Sequence, residues 1–147
     1  MIAVIQRCSQ GKVTVSDKIV GEISHGLVIL LGVQKNDTEN DAEFLVNKIC
    51  GLRIFNDEND KMNLSIKDVN GSALVISQFT LCGDTKKGRR PSFIKAATPD
   101  DGNRLYEYFM SEMKKGGVPI ESGEFGAMMD VALVNNGPVT FVLNSKD

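Results

Sequence analysis

The sequence predicts an α+β fold: a single domain over residues 1–147, with a curved, barrel-like, mostly antiparallel sheet covered by two main helices. Three observations predict it. About eight or nine short segments carry β patterning, either alternating or continuously apolar. Two segments carry apolar residues at helical spacing, one opening at Thr38 and one at Thr98. No repeat, linker or low-complexity tail interrupts the chain.

Residues 1–33 read as β structure. Ile2, Val4 and Gln6 alternate with Ala3, Ile5 and Arg7, which defines two faces. Arg7 ends that strand. It is either a solvated rim residue or a donor that locks a backbone carbonyl. Lys12–Ser16 and Ile19–Ile23 flank Asp17-Lys18, a hairpin pattern. Gly26–Val33 is an unbroken apolar run, which suits a central strand buried on both faces.

Asn36-Asp37-Thr38 opens the first helix, and Glu39, Asp41 and Glu43 suit its positive N-terminal end. Leu45, Ile49 and Leu52 form its apolar face. Arg53-Ile54-Phe55 begins a short extended segment, followed by a polar turn at Asn56–Lys61. That turn lacks the closing glutamate and flanking helix pair of a calcium loop. Asn70-Gly71 signals a turn into a strand over Leu74–Leu81, and Gly83–Pro91 follows as a loop.

Thr98-Pro99-Asp100-Asp101 starts the second helix with a threonine cap, proline at the first position and acids in the first turn. Leu105, Phe109 and Met113 make its apolar stripe, with Tyr106 and Tyr108 beside it as packing or rim residues. Lys114-Lys115 and Gly116-Gly117 close it. Val118–Ser122 resumes β structure, and Gly123–Ala127 is a glycine-bracketed loop. Met128–Val134 and Val139–Leu143 read as two further strands joined by a turn at Asn135-Asn136-Gly137-Pro138.

Composition narrows the chemistry. A net charge of −2 does not mark a nucleic-acid binder, yet it leaves room for a local basic patch. No apolar run approaches the ~20 residues of a membrane span. Met1–Ile5 alternates as a strand and lacks the charged start and cleavage site of a signal peptide. Cys8, Cys50 and Cys82 are odd in number and widely spaced, which suits core positions in a reducing cytosol rather than a disulfide framework or zinc site. The one histidine, His25, stands in a turn, so a Ser-His-Asp or Cys-His arrangement has weak support. A catalytic zinc built on several histidines is excluded.

The chemically dense stretch is Ser77-Gln78-Phe79-Thr80-Leu81, where an apolar strand runs out into polar residues. On a strand Gln78 and Thr80 would share one face, and Ser77 and Phe79 the other. Burying a hydroxyl without a partner costs about 1–3 kcal/mol. These groups therefore cap neighbouring backbone, face each other, or face a pocket. Lys86, Lys87, Arg89 and Arg90 place four cations within five residues, either as phosphate contacts or as a solvated loop. Phe125 is either a core anchor or a stacking surface for a base. Gly137-Pro138 stands where a cis peptide can occur. A hydrolase without a base or metal can still cleave a reactive ester. It must hold the ester, stabilise the oxyanion with backbone N–H groups and borrow a proton acceptor from the substrate.

Six motifs together resemble a known family. They are Gln6-Arg7, Leu52-Arg53-Ile54-Phe55, Ser77–Leu81, Lys87–Phe93, Phe125-Gly126-Ala127 and Asn136–Thr140. In this order, over essentially the whole chain, they resemble the D-aminoacyl-tRNA deacylases of the D-Tyr-tRNA deacylase type. The resemblance implies a cytoplasmic homodimer, with no cofactor or metal, that hydrolyses the ester between a D-amino acid and the 3′-terminal adenosine of tRNA. It implies that Ser77, Gln78, Phe79 and Thr80 form the pocket floor, with N–H groups near Phe79 and Thr80 facing the oxyanion. Phe125 and Met129 would line the adenosine site. Gly137-Pro138 matches a Gly-cis-Pro motif that reaches into the other subunit's pocket and excludes L side chains, and Arg7 would hold it in place. Glycine has no side chain to exclude, so glycyl-tRNA is expected to be cleaved as well.

Met128-Met129-Asp130 and Asn136 depart from the commonest family residues and bear only on adenosine contacts. Thr80 as a nucleophile would need a base, and the sequence offers none. The 2′-OH of the terminal ribose is therefore the expected activator or relay for water. The competing reading is a non-catalytic RNA-binding dimer using Lys86–Arg90 and Phe125. It accounts for the basic loop but not for the polar strand end and the Gly-Pro turn. A purely structural dimer accounts for neither.

Overall fold

The computed structural model describes all residues, 1–147. The chain forms β1 (Ile2–Val15), β2 (Lys18–Ile23), β3 (Gly26–Gly32), α1 (Glu39–Gly51), β4 (Phe55–Asn56) and β5 (Met62–Leu64). It continues through β6 (Ser72–Ser77), a 3₁₀ turn (Phe79–Cys82), α2 (Pro99–Lys115), β7 (Ile120–Ser122) and β8 (Asp130–Asn144). The main sheet runs β2-β1-β3-β6-β7, and β8 also pairs with β1. The pairs of β1 with β2, β3 and β8 are antiparallel, whereas β3–β6 and β6–β7 are parallel. Parallel neighbours need crossover connections, and α1 and α2 lie in those two crossovers. The ends of the sheet approach each other. A Cβ on Gly21 of β2 would stand 2.4 Å from the Ser122 carbonyl of β7, so the barrel nearly closes there.

Both faces of the central strands β3 and β6 are buried, in different company. Leu27, Ile29 and Leu31 of β3, with Ala73 and Val75 of β6, share a core with Leu45 and Ile49 of α1 and Leu105, Phe109 and Met113 of α2. Val28, Leu74 and Ile76 point the other way and meet Cys8, Val13 and Ile23 inside the barrel. This explains the continuously apolar β3: a strand buried on both faces has no polar side.

Both helices begin where their caps predict. Thr38 caps α1 in a capping box with Asp41. Thr98 caps α2, with its hydroxyl accepting from the Asp101 N–H at 3.3 Å. Asp41 also joins a network at the chain's ends: the Ser145 hydroxyl donates to it at 2.7 Å, and Lys146 pairs with it at 2.9 Å. The Met1 ammonium pairs with buried Asp37 at 2.9 Å. No helix is long and apolar enough to cross a membrane.

Four sequence expectations are corrected. Arg7 does not end the first strand: β1 runs on from Ile2 to Val15 and takes in the segment expected to begin a hairpin strand at Lys12. The first hairpin turns at Ser16-Asp17, both in the left-handed region at φ 49° and 64°, one residue earlier than expected. The strand expected over Leu74–Leu81 ends at Ser77, and the chain then coils into the 3₁₀ turn, so Ser77–Thr80 do not alternate across a sheet. The two strands expected over Met128–Leu143 are one strand, β8. It runs beside β1 from Thr14–Asp130 to Ile2–Asn144 without reversing. Between the pairs Cys8–Asn135 and Gln6–Thr140, β1 advances two residues and β8 five. The surplus, at Asn136-Gly137-Pro138, stands out as a bulge rather than a hairpin.

Candidate active site

The site begins where β6 stops. The Gln78 N–H donates to the Leu31 carbonyl at 2.8 Å, a last backbone bond between this segment and β3. The 3₁₀ turn then folds over Gly32, whose missing Cβ would stand 2.9 Å from the Leu81 Cβ and 3.2 Å from the Gln78 oxygen. The Leu81 N–H closes the turn on the Gln78 carbonyl at 3.1 Å. The N–H groups of Phe79 and Thr80 head the turn and have no acceptor within it.

A cavity of about 480 Å³ opens beside this turn. Ile76, Ser77, Gln78 and Phe79 form one wall, Ala97, Thr98, Pro99 and Gly102 a second, and Phe125 and Met129 a third. It is mostly apolar with a few polar groups, the ordinary make-up of a small-molecule site. A larger cleft of about 790 Å³, lined by Glu43, Arg53, Lys67, Asp68, Glu112 and Lys115 among others, is strongly polar and holds none of the expected site residues.

Thr80 is exposed beside the cavity, and its hydroxyl accepts a hydrogen bond from the Gln78 side-chain amide. That partner is a donor, so it cannot take the hydroxyl proton. The cysteines offer no alternative nucleophile in the cavity wall. Burial pushes the Cys8 thiol up to about 11, and Cys82 is buried against the Val33 carbonyl. No three His, Cys, Asp or Glu side chains converge in a metal-holding group.

The wall supplied by α2 was not foreseen. Thr98, Gly102 and Tyr106 stand four residues apart and so share one helix face. Tyr106, 2% exposed, donates from its hydroxyl to the Val75 carbonyl at 2.9 Å, and its ring lies 5.9 Å from that of Phe125. Burial pushes its phenol up to about 12, so it remains a neutral donor. Gly102 leaves the space that Phe125 occupies: a Cβ there would touch the Phe125 ring at 3.4 Å. A glycine inside a helix was the available signal, because it costs about 1 kcal/mol relative to alanine and marks a close approach.

Gly137-Pro138 does not line this cavity. The bond is cis, and both residues are exposed on the β8 bulge. The bulge is held from below by Arg7, which is only 6% exposed. Its Nε donates to the Asn136 carbonyl at 3.0 Å, and its Nη1 to the Ile54 carbonyl at 2.9 Å and to Asn56 Oδ1 at 3.2 Å. Asn135 adds a bond from the Val139 N–H at 3.1 Å. One chain thus brings Ser77, Gln78, Phe79, Phe125 and Met129 together, with Thr80 beside them, and holds Arg7 with Gly137-Pro138 as a separate unit. Lys86, Lys87, Arg89 and Arg90 form a third group, exposed on a loop whose base is closed by the Asp84–Ser92 bridge.

A family model described as D-Tyr-tRNA(Tyr) deacylase matches residues 4–144. A D-aminoacyl-tRNA deacylase of Bacillus cytotoxicus is 56% identical over 146 residues, spanning 99% of this chain and 100% of the relative. One of Thermotoga petrophila is 55% identical, spanning 99% and 97%. Among solved structures, a c-Myc DNA unwinding element binding protein superposes with a TM-score of 0.91 at 36% identity, covering 98% of each chain. A probable eukaryotic D-amino acid tRNA deacylase shares the fold, with a TM-score of 0.84 at 19% identity over 97% of this chain and 98% of its own. With the family model spanning the sheet, both helices and every segment of the site, the chain belongs to the D-Tyr-tRNA(Tyr) deacylase family.

Proposed function

We propose that this protein hydrolyses D-aminoacyl-tRNA to free D-amino acid and tRNA. The observation that carries the reading is the cavity at the end of β6, a mostly apolar chamber beside a 3₁₀ turn whose first N–H groups have no acceptor within the turn. The terminal adenosine packs against Phe125 and Met129. The ester carbonyl lies at the turn, and the Phe79 and Thr80 N–H groups stabilise its oxyanion. A water oxygen bonds to the acyl carbon, the bond to the ribose O3′ breaks, and O3′ leaves with a proton. Thr80 has no base, so the neighbouring ribose 2′-OH activates or relays for that water. Lys86, Lys87, Arg89 and Arg90 contact tRNA phosphates.

Chirality is set by exclusion. Gly137-Pro138, fixed by Arg7, enters the cavity of a second copy and fills the space that an L side chain needs. Glycyl-tRNA passes this filter and is cleaved. Two observations support the second copy: the bulge lies outside its own cavity, and β8 pairs on one side only.

The test is ester hydrolysis of D-tyrosyl-, L-tyrosyl- and glycyl-tRNA by the purified protein. Loss of the D and glycyl esters with the L ester intact is the expected result. Binding of all three without hydrolysis would overturn the enzyme reading in favour of an RNA-binding dimer. Cleavage of the L ester at the D rate would overturn the filter.

A further inference from the structure

The rim of the cavity carries aromatic surface that catalysis does not use. Phe79 is 58% exposed although its residue lines the cavity. Its ring meets Phe93 edge to face, with centroids 5.0 Å apart, and Phe93 is itself 37% exposed. Ile94, 68% exposed, adjoins it. This apolar surface is built in. The Phe93 ring lies so close to the backbone that a Cβ on Gly83 would stand 3.0 Å from it. The Asp84–Ser92 bridge places the base of the cationic loop directly beside Phe93. None of Lys86, Lys87, Arg89 and Arg90 is engaged in a salt bridge. Exposed rings interleaved with unpaired cations, in a chain of net charge −2, are the composition of a single-stranded nucleic-acid platform.

We propose that Phe79 and Phe93 form a stacking platform for the unpaired nucleotides just 5′ of the terminal adenosine, with the Lys86–Arg90 loop neutralising their phosphates. The proposal rests on the deacylase reading for its direction, since it runs outward from the adenosine site. The bases stack on the ring faces, so the platform tolerates any base and gives reach rather than sequence choice. A tRNA end bound this way is held by two single-stranded nucleotides as well as by its adenosine, and a free aminoacyl-adenosine is a poorer ligand.

The test is direct binding of two uncharged probes: the trinucleotide CCA, and the same chain with its two 5′ bases removed. Both keep the phosphates, so the comparison isolates stacking. CCA is expected to bind roughly 5- to 150-fold more tightly per stacked base. Phe93→Leu, which still fills the space over Gly83, is expected to remove about one base's share of that difference, and Phe93→Trp to keep it. Equal affinity of the two probes for the unmodified protein overturns the proposal without recourse to any variant. So does a Phe93→Leu protein that retains the whole difference. If Phe93→Leu instead converts a dimer to a monomer in sedimentation, the rings are covered by the second copy and the platform is refuted. Hydrolysis of D-tyrosyl-tRNA is scored separately. A base-dependent difference without hydrolysis sinks the deacylase reading and leaves the platform, and hydrolysis without the difference does the reverse.

Discussion

Arg7→Met separates a positioning role from a structural one. Methionine keeps an unbranched apolar stem and removes every N–H donor. Three acceptors then lose a partner: the carbonyls of Ile54 and Asn136, and Asn56 Oδ1. Asn56 and Asn136 are exposed, so water replaces two of the bonds. The Ile54 bond is buried, and an orphaned buried acceptor costs about 1–3 kcal/mol. Against this stands the guanidinium itself, which is buried with only neutral acceptors, so its removal relieves a desolvation penalty. The two effects oppose, leaving a net loss of about 1–2 kcal/mol, or roughly 2–8 °C in the melting midpoint. The effect on function is expected to be larger. Arg7 Nε fixes the Asn136 carbonyl at the base of the bulge, and a displacement of about 1 Å in a positioning group costs on the order of 100-fold in rate. The assay is single-turnover deacylation of D- and L-tyrosyl-tRNA beside a thermal melt. The expected variant is folded, has a midpoint a few degrees lower, and has a D-to-L rate ratio reduced by 10-fold or more. An unchanged ratio in a folded variant would refute the reasoning, as would a midpoint drop of more than about 15 °C, which would make Arg7 chiefly a core residue.

Thr80→Ala is expected to lose less than about 10-fold in single-turnover rate, because the hydroxyl makes one exposed hydrogen bond and has no base. A drop of about 10⁴-fold or more, with the fold intact by circular dichroism, would make it the nucleophile after all. Gly102→Ala and Gly102→Leu are expected to part in sign. The alanine Cβ sits in ordinary contact with Phe125 and gains up to about 1 kcal/mol of helix propensity in denaturant unfolding. The leucine must displace the Phe125 ring, costing about 1–3 kcal/mol and raising KM for D-tyrosyl-tRNA. Acid stability has a further test in Asp41. Burial raises its carboxyl, but hydrogen bonds from the Thr38 N–H, the Ser145 hydroxyl and the Lys146 ammonium outweigh this and leave it at about 2. A lowered folded-state value stabilises above the unfolded value near 4 and is lost as pH falls through about 2. Asp41→Asn is therefore expected to cost on the order of 2 kcal/mol at pH 7 and to flatten the melting curve against pH between about 4 and 2. An unflattened curve would assign the acid transition to other groups.

The sequence made legible whatever is decided locally. Thr98, Pro99 and the acids after them define the start of α2 without help from the rest of the chain. The apolar run of β3 likewise reports its two-sided burial directly. The errors fall where a distant residue decides. Nothing in Ser77–Leu81 itself ends the strand. The 3₁₀ turn can fold back there because Gly32, on another strand, leaves room for Leu81 and the Gln78 carbonyl. Asn135–Pro138 has the composition of a hairpin turn and would have been one beside a short partner. It became a bulge because β1 continues for 14 residues and β8 pairs along nearly all of it. The α2 wall of the cavity was within reach, since Thr98 and Gly102 stand four residues apart and Tyr106, four further on, packs on Phe125. The apolar stripe of Leu105, Phe109 and Met113 drew the reading to the helix's other neighbours.

That bulge also sets Arg7 and Gly137-Pro138 apart from the cavity. β8 is a long edge strand, and edges of that length are normally blunted with charge, proline or cover. Here Asp130 is the strand's one charged residue, and Val131, Val134, Phe141 and Val142 are exposed along it. Its one proline, Pro138, projects with the bulge instead of interrupting the pairing with β1. Such an edge suits the second copy proposed above, which would bring a second bulge with it. On the proposal above, the same strand would account both for pairing and for the bulge that each cavity receives. A cavity that waits for another chain's backbone can be strict about chirality without contacting the substrate's side chain. Backbone held by a buried arginine fills space in one way only, whatever side chain arrives. On that proposal the discrimination is expected to follow Arg7, which holds the bulge, more closely than Thr80, which would stand beside the reacting ester.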